Sequence, residues 1–281
     1  RSVLYMPSSN ERALEKAKSI ACDALILDLE DAVAPEAKPA AREAAAAAAA
    51  SGDYGRRTVT IRVNGIGTQW HDDDIVAASQ AGPAAIVVPK VGSAAEVAQL
   101  VAAMEKTGAP DHTALWAMVE TPGAILDALA IARASQRLGA FVLGTNDLVK
   151  ELYAEHVPGR APILSSLHTA LLAGRAAGIA VIDGVYNDVK DTEGFFAECE
   201  QGRQMGFDGK TLIHPGQVEG ANAAFAPSEA AVEDARGLIE AFEAAGSGVA
   251  TYNNKMVEAL HVESARRTLA IDEAVRALAD G

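Results

Sequence analysis

The chain has 281 residues, 49% of them hydrophobic and 22% charged, and a formal net charge of −14. That is enough apolar material for one large core or two small ones, and the negative balance argues against nucleic acid and anionic membrane as partners. No apolar run approaches the roughly 20 residues needed to span a bilayer, and the opening RSVLYMPSSNER lacks the charged, apolar and small-residue order of a secretory signal, so a soluble protein of the cytoplasm is expected. Cys22 and Cys199 are far apart, match no metal or redox spacing, and read as two buried free thiols.

Short β-favouring runs alternate with helical stretches from end to end. SVLYMP (2–7) predicts a first strand, and PSSN before ERALEKAKS predicts a helix over 10–19 capped by Ser8, Ser9 or Asn10. ALILDLED (24–31) leads to an alanine-rich helix over 39–50, TVTIRVN (58–64) to a helix over 71–81, and AAIVVPKV (84–91) to one over 94–106. ALWAMVE (114–120) precedes a helix over 122–135, opened by a cap at Thr121 and a proline in the first turn. AFVLGTND (140–147) is followed by a helix over 165–177, IAVIDGVY (179–186) by a helix over 193–205, and GKTLIH (209–214) is the last strand. Nearly continuous apolar strands separated by helices mark a parallel sheet covered by helices. Eight such strands in residues 1–225 predict a (β/α)8 TIM barrel, with an open doubly wound sheet as the runner-up. Beyond FAPSE the pattern changes to a helix over 230–245, a glycine-bearing break GSGVATYNN, and a last helix over 255–278. Residues 226–281 are therefore expected to form a helical extension that packs on the barrel or on a neighbouring subunit.

In a parallel barrel the strand ends converge on one face. That face collects Asp28, Glu30 and Asp31 after the second strand, Arg62 and Asn64 after the third, Lys90 after the fourth, Glu120 after the fifth, Asp147 after the sixth, Asp183 and Asp188 around the seventh, and His214 after the eighth. Glu120 and Asp147 end consecutive strands, which lie about 5 Å apart, so both carboxylates can share one cation. Oxygen ligands without nearby histidine or cysteine select a hard metal, Mg2+ or alternatively Mn2+, with water and substrate completing the shell. Arg62, in an otherwise β-branched run, reads either as the ion-pair partner of a strand-two acid or as a planar fork for a substrate carboxylate. Arg12 and Lys16, four apart on the first helix, read either as solvated face charges or as a phosphate grip.

RSVLYMPSSNERALEKA, DALILDLEDAVAPEAK, IRVNG, VPKV, MVETPGAI, AVIDGVYNDVKD and MGFDGKTLIHPGQV resemble, in order, the aldolase/citrate lyase beta subunit family, which includes malyl-CoA and citramalyl-CoA lyases and malyl-CoA thioesterases. The resemblance runs from Ser2 to about residue 267. It implies a (β/α)8 barrel assembled as a homotrimer or hexamer, whose C-terminal segment reaches over a neighbour's active site. It implies Mg2+ at Glu120 and Asp147, substrate contacts from Arg62, Arg12 and Lys16, and an acyl-CoA substrate; Asn146 and Asp183, on the same face, are also expected at the substrate. In the lyases an aspartate on the C-terminal segment is the acid/base; here the acid is Glu258, in NNKMVEALHV, one methylene longer. A carboxylate displaced by about 1 Å can cost about 100-fold. Many relatives also carry an acid where this chain has Asn146.

Cleavage of a 3-hydroxyacyl thioester needs a base for the hydroxyl proton, a cation for the developing carbonyl and donors for the thioester enolate. The expected activity is Mg2+-dependent carbon–carbon cleavage of malyl-CoA or a similar 3-hydroxyacyl-CoA to acetyl-CoA and a 2-oxo acid, with Glu258 and Arg62 as the catalytic residues. The alternatives are a malyl-CoA thioesterase built on the same metal site and a non-catalytic acyl-CoA-binding relative.

Overall fold

Each apolar run forms a strand, and in the computed structural model, which describes residues 1–246 and 248–279, eight of them close into a barrel. The strands are β1 (Ser2–Pro7), β2 (Ala24–Asp28), β3 (Thr58–Arg62), β4 (Ala85–Val88), β5 (Ala114–Val119), β6 (Leu138–Leu143), β7 (Ala180–Asp183) and β8 (Gly209–Leu212); all pair in parallel in sequence order, and β1 closes on β8. Around them run α1 (Glu11–Ala17), α2 (Lys38–Ala50), α3 (His71–Ala81), α4 (Ala94–Lys106), α5 (Pro122–Leu126), α6 (Ala128–Ala132), α7 (Thr145–Glu151), α8 (Leu164–Ala177), α9 (Thr192–Met205) and α10 (Val218–Phe225). The expected helix over 122–135 is divided at Asp127, whose φ of −96° and ψ of 8° interrupt the helical path. The expected sixth strand is shorter at its end, because Gly144 turns the chain into α7 and takes Asn146 and Asp147 with it.

The period of two along the strands separates two cores. Leu4, Leu25, Leu27, Ile61, Leu115 and Phe141 face outward and pack under the helices. Val3, Ile26, Val87, Met118, Val142 and Ile182 fill the barrel interior, with Tyr5 and Trp116 against them. Burying each such large side chain is worth about 1.5–3 kcal/mol. The inward phase continues to the strand ends, so Asp28 and Arg62 point into the mouth of the barrel. No helix among the described residues is long and apolar enough to cross a membrane.

Residues Arg1–Phe225 and Ala226–Gly281 are two compact units. Within the second, α11 (Glu229–Ala245) is followed by a hairpin of β9 (Val249–Tyr252) and β10 (Lys255–Glu258), and then by α12 (Ala259–Ala279). The hairpin corrects the expected glycine-bearing break and the early start of the last helix; residue 247 of that break lies outside the described residues. Asn253 and Asn254 take φ of 48° and 59°, the paired left-handed conformation that a two-residue hairpin turn requires. Ala250 and Val257 of the hairpin then pack with Val262, Leu238, Ile239 and Phe242.

The barrel wall also holds a balanced charge cluster. Lys210 is fully buried, its Nζ 2.7 Å from Glu198 and 3.3 Å from Asp183, its partner in the β7–β8 register. Arg160 Nη1 donates to both oxygens of Asp183 at 2.7 and 2.8 Å. Removing one cation from two cations and two anions leaves an uncompensated buried carboxylate, so Lys210→Met is expected to cost about 3–5 kcal/mol, read as the shift of a urea unfolding curve.

Candidate active site

The mouth of the barrel begins with a closed ion pair. Asp28 and Arg62 are register partners, and Arg62 donates through Nε and Nη2 to the two Asp28 oxygens at 2.6 and 2.7 Å. Asp28 also accepts the backbone N–H groups of Glu30 and Ala32 at 2.9 and 3.0 Å, which fixes the loop after β2. The third guanidinium nitrogen, Nη1, lies 2.8 Å from Glu30 and 3.5 Å from Asp31, and the guanidinium carbon is 4.7 Å from the centre of the Tyr5 ring. The ion-pair reading of Arg62 is thus met, and the side chain still lines the cleft in the barrel mouth.

Beside it stands an unclosed pair. Val119 is opposite Leu143 in the β5–β6 register, which sets Glu120 against Gly144. A Cβ at position 144 would overlap the Glu120 carboxyl group, so the glycine is what admits it. Glu120 is 2% exposed and accepts the Lys90 backbone N–H at 2.7 Å. Asp147 is the third residue of α7, where the positive end of the helix favours a carboxylate. Lys90 Nζ lies 3.8 Å from Asp147 and 3.8 Å from Glu30, longer than a hydrogen bond.

Burial, and after it the neighbouring charges, shifts the protonation of these groups. Burial, with Glu30 and Asp147 nearby, pushes the Glu120 carboxyl up to about 7. Burial also raises Glu30 to about 7, against the opposing pull of Arg62. Burial disfavours the Lys90 ammonium, but Glu30, Asp147 and Glu120 together outweigh it and hold its pKa above the ordinary lysine value.

The cleft measures about 360 Å3 and brings together Arg62, Asn146, Asp147, Tyr5 and Met118. Asn146 forms a reciprocal amide pair with Asn187: each Nδ2 donates to the other's Oδ1, at 3.1 and 2.8 Å. Asp183, expected at the substrate, is fully buried and held by Arg160 and Lys210; at the end of a short strand its carboxylate turns into the wall and does not line the cleft. Arg12 and Lys16 are exposed on α1. Glu258 ends β10 in the C-terminal unit, where its backbone N–H donates to His261 Nδ1 at 3.0 Å. His214 caps a short 3-10 turn through Nδ1, a structural role. Sequence reasoning passed over Asn187, Tyr5 and Met118; the inward period-two positions of β1 and β5 were the available signal for the last two. Cys22 and Cys199 are free and buried, as expected.

Residues 1–215 match the HpcH/HpaI aldolase/citrate lyase model. This chain belongs to that family. It is 51% identical to a (3S)-malyl-CoA thioesterase of Cereibacter sphaeroides over 99% of this chain and 96% of that protein. It is 35% identical to the citrate lyase subunit beta of Escherichia coli K12, over 96% and 92% of the two chains. Among solved structures it resembles the CitE protein of Mycobacterium tuberculosis in complex with magnesium, acetoacetate and coenzyme A, with a TM-score of 0.79, 28% identity and 97% of each chain covered.

The donor set fits a hard cation. Among the described residues no three or more His, Cys, Asp and Glu side chains form a metal cluster, which excludes a closed structural zinc site there. Two carboxylates are what Mg2+ commonly takes from a protein; Glu120 is raised to about 7 first by burial and then by the negative charges of Glu30 and Asp147. The sign of the pH effect follows. Between about 4.5 and about 7 the folded protein keeps a proton on Glu120 that the unfolded chain has lost, so this stability is fully present below the ordinary carboxylate value and is lost as pH rises through the folded one. In chelator, the melting temperature is expected to fall across that window, and Glu120→Gln to flatten the fall; thermal scans of both proteins over the pH series test it.

Proposed function

We propose that this protein is a Mg2+-dependent hydrolase of malyl-CoA or a closely similar 3-hydroxyacyl-CoA. The observation that carries the reading is the convergence of Glu120 and Asp147 on one rim beside Arg62, in a chain 51% identical to (3S)-malyl-CoA thioesterases. Carbon–carbon cleavage, the activity expected first from the sequence, is the second reading, favoured by the 35% identity to citrate lyase subunit beta. Both reactions use the same cleft, and they differ in whether water or the substrate's own hydroxyl loses the proton.

Glu120 and Asp147 are the residues that would hold Mg2+, or Mn2+ as the other hard cation; when bound, the metal supplies Lewis-acid polarisation of substrate oxygens. Arg62 orients the substrate. Asp28 occupies Nε and Nη2, which fixes the guanidinium plane, and Nη1 is paired with Glu30 at 2.8 Å, so a substrate carboxylate would take Nη1 in exchange for Glu30. Glu258 accepts the proton of a water whose oxygen bonds to the thioester carbonyl carbon; the carbon–sulfur bond then breaks and Glu258 returns that proton to the sulfur, so that CoA leaves as the thiol. Arg12 and Lys16 supply cations for the CoA phosphates. Asn146 contacts the acyl group from the wall it shares with Asn187. Family resemblance adds a homotrimer or hexamer working in the cytoplasm, with residues 226–281 as the C-terminal segment that supplies Glu258.

With (S)-malyl-CoA and Mg2+, purified protein is expected to release free CoA thiol and malate without glyoxylate. Glyoxylate with acetyl-CoA and no free thiol would move the assignment to the lyase. Glu258→Gln is expected to abolish turnover while the Mg2+-dependent rise in melting temperature persists, and unchanged turnover would remove Glu258 from the mechanism.

A further inference from the structure

Lys90 meets both carboxylates of the candidate metal site, and it does so with two different groups. Its backbone N–H donates to Glu120 Oε1 at 2.7 Å. Its ammonium stands 3.8 Å from Asp147 Oδ1 and 3.8 Å from Glu30 Oε1. Those distances are too long for hydrogen bonds and short enough for strong charge attraction. The side chain is 47% exposed, so the ammonium is half open to solvent where it sits. The backbone adds a second observation. Lys90 has φ of 54°, a left-handed conformation that glycine adopts freely and a lysine only at a cost. Strain of this kind, kept beside a cleft of convergent polar groups, points to a role for the side chain.

Charge explains what that role is. Arg62 is committed to Asp28 and Glu30, which leaves Glu120 and Asp147 with Lys90 as the cation they share. A divalent ion entering between the two carboxylates meets an ammonium already attracted to them and repelling it. We propose that Lys90 is the resident counter-ion of the metal site, holding Glu120 through its amide and competing with the metal through its ammonium, so that Mg2+ binds more weakly than two bare carboxylates would allow. Lys90 is in this sense a positioning residue, and the inference rests on the reading of Glu120 and Asp147 as metal ligands.

The test is Mg2+ titration of the full-length protein without substrate, by calorimetry, with the Mg2+-dependent shift in melting temperature as a second readout. Lys90→Met keeps the length of the side chain and removes its charge, and is expected to bind Mg2+ about tenfold more tightly than wild type. Lys90→Arg keeps the charge and is expected to stay within about twofold of wild type, on the same basis. Lys90→Gly keeps the amide and accepts the positive φ without strain, so it is expected to fold and to bind as tightly as Lys90→Met even where the latter is poorly stable. Equal Mg2+ affinity in wild type, Lys90→Met and Lys90→Gly overturns the counter-ion role while leaving the metal site standing. Absence of Mg2+ binding in wild type and in both Lys90→Met and Lys90→Gly overturns the metal-site reading itself, and the inference with it.

Discussion

Everything at the barrel mouth depends on the room that Gly144 leaves for the Glu120 carboxyl group. The β5–β6 register sets the two residues side by side, and the inward phase of β5 commits Glu120 to the mouth, where water is scarce. An ionised carboxylate in such a place needs a partner. The nearest backbone donor, the Lys90 N–H, supplies one hydrogen bond but no full charge. Glu30 and Asp147 add to the negative field. The protein has thus built a position where a cation is favoured.

The neighbouring charge clusters show what closure looks like. Asp28 and Arg62 are register partners of opposite sign joined by two hydrogen bonds. In the wall, Asp183, Glu198, Arg160 and Lys210 balance two charges against two. Buried pairs of this kind contribute little net stability but cost much when one member is lost. Against these, Glu120 and Asp147 with a single, loosely placed lysine are the exception. Departures from full satisfaction are expected at functional sites, and here the departure coincides with the cleft.

How far the sequence carried depended on which physical signal each residue leaves. The eight strands were legible because parallel strands buried on both faces read as unbroken apolar runs, and Glu120 was legible as the acid that ends one. Asp147 was placed in a strand because VLGTND keeps a β-like look through Gly144, whereas the glycine already starts α7. Asp183 looked the same as a rim acid, since nothing local shows that Arg160, 23 residues earlier, and Lys210, on the next strand, draw its carboxylate into the wall. The hairpin of β9 and β10 did leave a signal: two alternating runs, VATY and KMVE, around an Asn-Asn turn. Lys90 was legible as a rim residue after the fourth strand, but its left-handed φ was not, because such a φ at a lysine follows from tertiary contacts and not from local preference.

The same charge reasoning explains why an amide suits position 146. Asn146 and Asn187 each donate and accept, a reciprocity that a carboxylate at 146 would end, because it can only accept. An acid there would also place another negative charge beside Asp147, where Lys90 is the cation within 4 Å of its carboxylate. With asparagine, one ammonium faces Asp147 and Glu30 while Glu120 is held by the amide of the same residue. Where relatives carry an acid at this position, the added charge would strengthen cation binding before substrate arrives. With the neutral amide, a cation held between Glu120 and Asp147 would meet a weaker negative field than an acid at position 146 would give.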